Sequence, residues 1–408
     1  MNREALVLGV GATPFGRHPD RSAGDLAGRA AHEALRDAGL APADVGAVFH
    51  ATVSQKAIDG QHMIPGQVAL RPHGFAGMPV VNVENACAGG ATALWLAIAH
   101  VRAGLSDVAL AVGVDKLVCA DPARGLAVFD GAMDIAHREE TLAALTALTD
   151  PLPPELTVDG DRSVFMEIYA SLARAHIQRF GTTEAHLAAV SAKNHAHSVH
   201  NPRAHFRRAF TAEEILAARR VAWPLTVPMC SPVSDGAAAV VVTRADFTRD
   251  ETAVAVLSSV LLSGTDRAAD DAGRHIGRRA VLAAYEKAGV GPQDVDVAEV
   301  HDATAFGEIQ QVENLGFCPI GDGGPWSASG AGALGGALPV NPSGGLESRG
   351  HPVSATGLAQ IHELVTQLRG RAGVRQVSDA RIAVAENGGG LYGIEEAVAA
   401  VTILGRTR

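Results

Sequence analysis

The chain has 408 residues, of which 47% are hydrophobic and 19% are charged, and its formal net charge is −10. This acidic balance argues against a nucleic-acid-binding protein, whose surface is basic. No apolar run approaches the roughly 18 residues that cross a bilayer, so the sequence predicts no membrane-spanning segment. The four scattered cysteines match neither a disulfide framework nor a zinc motif, and we expect a cytoplasmic location.

The first predicted elements are a strand at residues 5–10 and an Ala-rich helix that ends at Gly39, with a proline soon after. This combination is a typical signal for the end of a helix. A second strand follows at residues 47–49. Residues 278–295 repeat residues 28–45 with eight identities at an offset of 250, and a strand is again predicted afterwards.

A second pair of segments extends the repeat. Cys87 aligns with His351 at an offset of 264, and each residue stands just before a predicted helix, at residues 93–104 and 357–370. A turn and an apolar strand then follow in both copies. Three matches in the same order indicate a duplicated α/β domain, with mixed sheets covered by helices.

Each copy closes with a long apolar strand, at residues 235–243 and 396–404. The material between about residues 116 and 221 has no counterpart in the second copy, which indicates an insertion. We therefore divide the chain into an N-terminal half (1–117 and 221–247), an inserted loop domain (118–220) and a C-terminal half (248–408).

The equivalence of Cys87 and His351 suggests chemistry. If the two halves pack about a pseudo-twofold axis, both helix starts face one cleft. A thiol at a helix N-terminus has a lowered pKa, and a nearby histidine can take its proton, which is the arrangement for acyl transfer through a thioester. A free cysteine alone is more often a small buried hydrophobe. Gly89 and Gly90 favour the reactive interpretation, because they let a substrate approach the backbone.

Together, these segments resemble the thiolases, most closely the sterol-carrier-protein-type branch, over nearly the whole chain. The matching segments are residues 82–90, 193–202, 234–239, 301–304 and 341–357. The resemblance implies an α/β thiolase fold, in which two βαβαβαββ halves form five layers (αβαβα) with the inserted loop domain over the cleft. It also implies a homodimer.

The resemblance assigns roles to individual residues. Cys87 would be acylated by an acyl-coenzyme A, His351 would activate the thiol, and His301 would hold the thioester oxygen. The backbone N–H groups of Cys87 and Gly388 would form a second oxyanion hole. Asn387, Ser354 and His50 are further candidates for oxyanion or substrate binding, although His50 also fits a buried core histidine. Candidates for contacts with coenzyme A are Arg203, Arg207 and Ser343, with Arg208 nearby, and a charged loop face is the alternative for the arginines.

Two departures concern the second cysteine that thiolases use as acid and base at the acceptor carbon. The Cys-x-Gly loop of most thiolases is replaced by Glu386-Asn387-Gly388, and the cysteine that follows the histidine-aspartate pair in the sterol-carrier type is replaced by Ala303. Glu386 can substitute only if burial shifts its pKa; otherwise it is a structural carboxylate. An acceptor that is already nucleophilic, such as an electron-rich aromatic ring, needs less help.

The sequence therefore favours acyl transfer from an acyl-coenzyme A to a small-molecule carbon acceptor. The alternatives are a retro-aldol lyase that works with a small OB-fold, zinc-ribbon partner, and a non-catalytic scaffold subunit. Acyl-coenzyme A and coenzyme A would be substrates, with no tightly bound cofactor and no metal. We expect the histidines of the insertion to be solvated loop residues (His195, His197, His200 and His205). Tyr169 and His137 are candidates for the acceptor pocket, and the remaining cysteines are expected to be buried (Cys119, Cys230 and Cys318).

Overall fold

The computed structural model describes residues 4–158 and 163–407. The strands are β1 (Ala5–Ala12), β2 (Ala47–Ala51), β3 (Val80–Val83), β4 (Val108–Asp115), β5 (Arg220–Ala222), β6 (Leu225–Thr226), β7 (Gly236–Arg244), β8 (Val254–Ser263), β9 (Val297–Glu299), β10 (Ile382–Gly389) and β11 (Val398–Arg406). The α-helices are α1 (Ala23–Asp37), α2 (Ser54–Ala57), α3 (Pro65–Leu70), α4 (Gly89–Arg102), α5 (Pro122–Ala127), α6 (Arg138–Thr146), α7 (Val164–Phe180), α8 (Glu184–Ser198), α9 (Ala212–Ala217), α10 (Ile276–Ala288), α11 (Ala305–Asn314), α12 (Gly323–Ala328) and α13 (Thr356–Leu368).

The sheet repeats one topology twice. Within the described residues, nine strands are hydrogen-bonded in the order β3-β2-β4-β7-β1-β8-β11-β10-β9. In the first half β4 pairs parallel with β2 and antiparallel with β7, and in the second half β10 pairs parallel with β9 and antiparallel with β11. The halves meet where β1 and β8 pair through Leu6–Ala255 and Val7–Val254. The predicted duplication is confirmed, and the two sheets join along one edge.

The helices create the layers. Leu94 of α4 and Leu358 of α13 belong to one apolar core that lies between the two halves of the sheet. Helix α1 covers the outer face of the first half and α10 covers the outer face of the second. Alternate residues of one strand supply both faces, since Val240 of β7 points to the central core and Val241 to the core beneath α1. The result is the predicted five-layer αβαβα arrangement.

Local hydrogen bonds define where two helices begin, and one of the predicted starts is late. Helix α1 begins at Ala23 because Ser22 and Asp25 form a capping box, in which each side chain bonds the backbone N–H of the other. Helix α4 begins at Gly89, directly after a 3₁₀ turn at Ala86–Ala88, and not at residue 93. Cys87 therefore lies in a turn that continues into the helix.

The segment predicted as an inserted loop domain is largely helical. Helices α5 to α9 and the short β5–β6 ribbon lie between β4 and β7 in the chain. Leu187 of α8 and Ile215 of α9 share a core with Phe306 of α11, so this segment packs on the second half. None of the helices in residues 4–158 and 163–407 has the length and apolar character that a bilayer crossing requires.

Candidate active site

The 3₁₀ turn before α4 holds Cys87. Asn85 donates a side-chain hydrogen bond to Thr92 Oγ1 (3.0 Å), and Glu84 Oε1 accepts from the backbone N–H of Ala86 (2.8 Å). Burial raises the pKa of the Cys87 thiol to about 12, although a hydrogen bond from the backbone of Gly390 acts in the opposite direction. This corrects the expectation of a lowered pKa. Desolvation outweighs the helix terminus, so the thiol needs a base.

Two histidines lie next to this thiol. The Sγ atom of Cys87 and one ring nitrogen each of His301 and His351 all lie within 4.8 Å of one another. The ring centroids of the two histidines are 5.3 Å apart, and the rings meet edge to face. In the described part of the chain this is also the group whose spacing would suit a metal ion. The structure thus brings together the three residues to which the sequence assigned the reaction.

The hydrogen bonds of His351 define its tautomer. Its Nδ1 lies 2.6 Å from Thr356 Oγ1, and that hydroxyl donates its one proton to the carbonyl oxygen of Pro352 (3.1 Å). Nδ1 must therefore be the donor, which leaves Nε2 unprotonated and able to act as a base. Burial lowers the pKa of His351 well below its ordinary value, and His301 and Arg349 lower it further.

His301 is a neutral group that faces the cavity. Its side chain is buried, and within the described residues neither ring nitrogen has a hydrogen-bond partner. Burial lowers the pKa of His301 to about 4. Buried polar atoms are normally satisfied, so these ring nitrogens are free to bond a ligand.

A cavity of about 430 Å³ opens onto the three residues. Its apolar wall comes largely from the inserted segment and includes Leu126, Phe129, Phe165 and Met166. Its polar lining includes Tyr169, Cys230 and Glu396 as well as the thiol and the two histidines. This combination of an apolar wall with a few convergent polar groups is typical of a site for a small organic ligand.

The amide expected at the oxyanion hole was that of Gly388, but the structure places the amide of Gly390, two residues later, at the thiol. Gly388 lies inside β10, paired with Ala399, and does not line the cavity, whereas Gly389 and Gly390 do. The backbone group that bonds the thiol is that of Gly390. Gly390 has a φ of +62°, which favours glycine.

Glu386 and Asn387 are buried outside the cavity lining. Glu386 Oε2 accepts a hydrogen bond from the backbone N–H of His301 (3.0 Å), and neither Glu386 nor Asn387 lines the cavity. Burial and the charge of Glu396 raise the pKa of Glu386 to about 8. The Asn387 side chain donates a long hydrogen bond to the carbonyl oxygen of Gly388 (3.4 Å). Glu386 thus supports the backbone of His301.

Other candidates are outside the cavity lining. Ser354 is buried, and its backbone N–H bonds Asp115 (2.6 Å). His50 is fully buried in β2, and burial lowers its pKa to about 4. Within the described residues neither of its ring nitrogens has a partner, so it is a core histidine without the hydrogen bonds that such a residue usually makes.

The residues proposed to bind coenzyme A are not brought to this cavity. Arg203 forms an ion pair with Glu33 and lines a different cavity. The Ser343 hydroxyl donates to Glu299 (2.7 Å) inside the protein. Arg207 is exposed and bonds the carbonyl oxygen of Val199 (3.4 Å). Arg208, also exposed, pairs with a glutamate of α9.

Two of the histidines expected to be solvated are instead buried in α8. His195 bonds the carbonyl oxygen of Pro228 (3.1 Å), and His197 bonds that of Asn341 (3.0 Å). Their helix therefore packs against the loop that precedes His351. His200 is exposed, as expected, and His205 is partly buried.

The same helix anchors the loop through Asn194. Its amide nitrogen shares two protons among Asp302 (3.1 Å), Glu308 (3.0 Å) and Glu347 (3.1 Å). Lys193 forms an ion pair with Glu308 (3.0 Å), so one cation and one amide offset three buried carboxyl groups.

Tyr169 lines the cavity, as the sequence suggested, but His137 is exposed and pairs with Asp134 (2.9 Å). The three remaining cysteines are partly exposed and not buried as expected, and among them Cys230 lines the cavity (Cys119, Cys230 and Cys318). Sequence reasoning missed Glu396 completely. It lies in a turn before β11 with no motif around it, and only the fold brings it to the cavity.

Comparisons with known proteins identify the family and the fold. The family model described as "Thiolase, N-terminal domain" matches residues 5–215, and "Thiolase C-terminal domain-like" matches residues 265–406. Acetyl-CoA acetyltransferase of Methanothermobacter thermautotrophicus is 38% identical over 417 residues, which cover 99% of this chain and 100% of the relative.

Sterol carrier protein 2 of Gallus gallus is 35% identical over 399 residues, covering 95% of this chain and 70% of the relative. Among solved structures, a chain of the Ltp2-ChsH2(DUF35) aldolase has a TM-score of 0.78 at 24% identity, with 99% of this chain and 98% of that chain covered. That likeness confirms the predicted fold. With both family models and a relative matched over its full length in agreement, the chain belongs to the thiolase family.

Proposed function

We propose that the protein is an acyl-coenzyme A C-acyltransferase that works through an acyl-Cys87 thioester. The observation that carries the proposal is the close approach of Cys87, His301 and His351, within 4.8 Å, in the lining of the cavity. The name of the relative from Methanothermobacter thermautotrophicus, an acetyl-CoA acetyltransferase, supports this class of reaction.

In the first step His351 Nε2 takes the proton of Cys87 as the sulfur attacks the acyl carbonyl carbon. The new carbon–sulfur bond forms, the bond to coenzyme A breaks, and the departing thiolate takes the proton from His351. The backbone N–H groups of Cys87 and Gly390 bind the oxyanion, and such donors typically contribute about 3–4 kcal/mol at the transition state.

In the second step a carbon of the acceptor attacks the acyl group, and the Cys87 sulfur leaves. His301 is neutral because burial lowers its pKa to about 4, and it donates one ring N–H to an oxygen of the acceptor. Acyl-coenzyme A and coenzyme A serve as substrates in this scheme, without a tightly bound cofactor.

Intact-protein mass spectrometry tests the first step. We expect incubation with acetyl-coenzyme A, or with a longer acyl-coenzyme A, to add the mass of one acyl group. Cys87→Ala removes this gain, and His351→Ala slows it. Cys119→Ala is the matched control, because Cys119 is a partly exposed thiol outside the cavity lining.

No acylation of the folded, reduced protein by any donor would contradict this function. It would favour the retro-aldol lyase with a small OB-fold, zinc-ribbon partner, or the non-catalytic scaffold. The similarity to the aldolase chain extends to fold only. A complex whose activity is unchanged by Cys87→Ala would favour the scaffold.

We also propose a cytoplasmic homodimer that pairs through β3. This strand is the outermost of the first half, and Val81 within it is 43% exposed. Open strand edges of this kind are templates for pairing with another chain. Light scattering during gel filtration measures the mass, and Val81→Lys should shift a dimer towards monomer. Residues 118–220 would act in each subunit as the inserted domain that shapes the acceptor pocket.

A further inference from the structure

Glu396 occupies the space above Gly388. A Cβ atom placed on Gly388 would lie 2.9 Å from Glu396 Cγ and 3.4 Å from Oε1. Gly388 has no side chain, and the carboxyl group of Glu396 fills the volume that a side chain there would take. From this position Glu396 lines the Cys87 cavity.

The position of Gly390 sets the register of this loop. In the Cys-x-Gly loop of most thiolases, the glycine supplies the oxyanion amide and the cysteine stands two residues earlier. Since the backbone of Gly390 bonds the thiol, the residue in the cysteine's place is Gly388 and not Glu386. The second cysteine of most thiolases is thus replaced here by Gly388, and Glu396 occupies the space of the absent side chain.

His275 orients the carboxylate. Its Nε2 lies 3.1 Å from Glu396 Oε2, while its Nδ1 accepts the backbone N–H of Gly277 (3.1 Å) and lies 3.1 Å from the amide nitrogen of Asn314. With Nδ1 occupied as an acceptor, the ring carries its proton on Nε2, the nitrogen that lies beside Glu396. Gln311 donates to the other oxygen (3.3 Å).

We propose that Glu396 is the catalytic base for the acceptor carbon, positioned by His275, and that the acceptor is therefore an acyl thioester with a hydrogen on its α-carbon. This inference rests on the proposed acyl transfer through Cys87. It identifies the acceptor as a carbon acid that needs a base, in contrast to an electron-rich ring.

The step balances without another reactant. The Glu396 carboxylate takes the α-hydrogen as a proton, and the electron pair left on the α-carbon forms the new carbon–carbon bond to the acyl carbon. The bond from that carbon to Cys87 breaks, and its electrons return to sulfur. The proton on Glu396 then passes to the sulfur, which restores both groups.

Glu396 carries the negative charge that lets a carboxylate accept a proton. Burial acts to raise its pKa, but His275, a backbone hydrogen bond and His301 together outweigh burial and lower the pKa to about 2, so the group is ionised at neutral pH. A bound acceptor displaces water from the cavity, and desolvation makes a carboxylate a stronger base.

The experiment separates the two steps. Acylation of Cys87 by acetyl-coenzyme A is followed by mass, and thiolysis of acetoacetyl-coenzyme A by coenzyme A is followed by absorbance. In Glu396→Gln we expect acylation within about twofold of wild type and thiolysis reduced by about 100-fold or more, the usual range for a lost general base. Exchange of the methyl hydrogens of acetyl-coenzyme A in D₂O should fall in parallel.

Glu386→Gln is the matched comparison, since its carboxyl group is buried nearby but outside the cavity lining. We expect a loss of thiolysis below about tenfold, less than the range for a general base. Retention of thiolysis in Glu396→Gln overturns the inference. A wild-type enzyme that is acylated but neither cleaves acetoacetyl-coenzyme A nor exchanges the methyl hydrogens also overturns it, while leaving the acyltransferase function standing.

A double variant tests the register independently. Glu396→Ala removes the carboxylate, and Gly388→Cys in the same protein restores a thiol at the cysteine position of the family. We expect the double variant to cleave acetoacetyl-coenzyme A at least about tenfold faster than Glu396→Ala alone. A double variant no faster than the single one would contradict the place given to Gly388.

Discussion

The segments around Cys87 and His351 occupy equivalent positions in the two halves but are held in different ways. The Cys87 turn is fixed by neighbours in the chain, such as Asn85 with Thr92, seven positions apart. The loop before His351 is fixed from a distance, since Asn194 bonds Glu347, 153 positions later. Duplication supplied the same site twice. The turn at Cys87 in one copy is built locally, and the loop before His351 in the other copy depends on the whole fold.

The largest expected effect is a difference in the free energy of unfolding between one variant of each segment. Asn194→Ala leaves three buried carboxyl groups without their shared donor, and breaking such a network typically costs about 3 kcal/mol or more of the free energy of unfolding. Asn85→Ala removes one partly buried hydrogen bond and should cost about 1 kcal/mol. Urea unfolding of both variants checks the comparison, and equal losses would break it.

The next effect concerns the tautomer of His351. Thr356→Val removes the oxygen that accepts from Nδ1, so the rate of Cys87 acylation should fall about tenfold, the equivalent of one hydrogen bond. Thr366→Val is the control, because Thr366 lies on the same helix and bonds the carbonyl oxygen of His362 (2.7 Å). Both acylation rates are obtained by stopping the reaction at successive times and measuring the mass of the intact protein. Equal rates in the two variants would show that Thr356 does not set the base.

A smaller effect is expected from pH. Because burial lowers the pKa of His351 well below its ordinary value, the ring stays neutral as the pH falls, and the acylation rate should change little between pH 8 and pH 6. A histidine of ordinary pKa would lose about three quarters of its neutral form at pH 6. A rate that falls fourfold over this range would contradict the assigned burial effect.

The smallest effect is in the first half, at His50. Its folded pKa of about 4 is below the unfolded value near 6.5, so its contribution to stability is complete above pH 6.5 and is lost as the pH falls towards 4. His50→Leu removes this titration without leaving a charge to bury. The loss of stability between pH 7 and pH 5 should therefore be smaller in the variant, as measured by urea unfolding at each pH.

The same contrast explains what the sequence could predict. Cys87 and His351 were found because the repeat and the glycines beside them are local patterns. Arg203 was assigned to coenzyme A because no local pattern reveals its ion-pair partner. That partner, Glu33, is 170 positions away in the chain and comes close only in the folded protein. Glu396 lies in no local sequence pattern. The role proposed for it depends on which residue of the neighbouring strand β10, Gly388 or Glu386, faces it. The fold and the approach of Cys87 and His351 can be predicted from sequence, whereas the long-range ion pairs and the position of Glu396 in the cavity cannot.

The central place of β1 has a consequence for synthesis. All eight of its residues are buried, and its neighbours in the sheet are β7 and β8. Thr13, just after it, bonds Ala237, 224 positions later. On the ribosome this apolar strand is made before β7 and β8, and its contact at Ala237 is translated only 224 positions later. Unpaired strands of this kind are prone to aggregate. The nascent chain should therefore need a chaperone during this interval, whatever the stability of the finished protein.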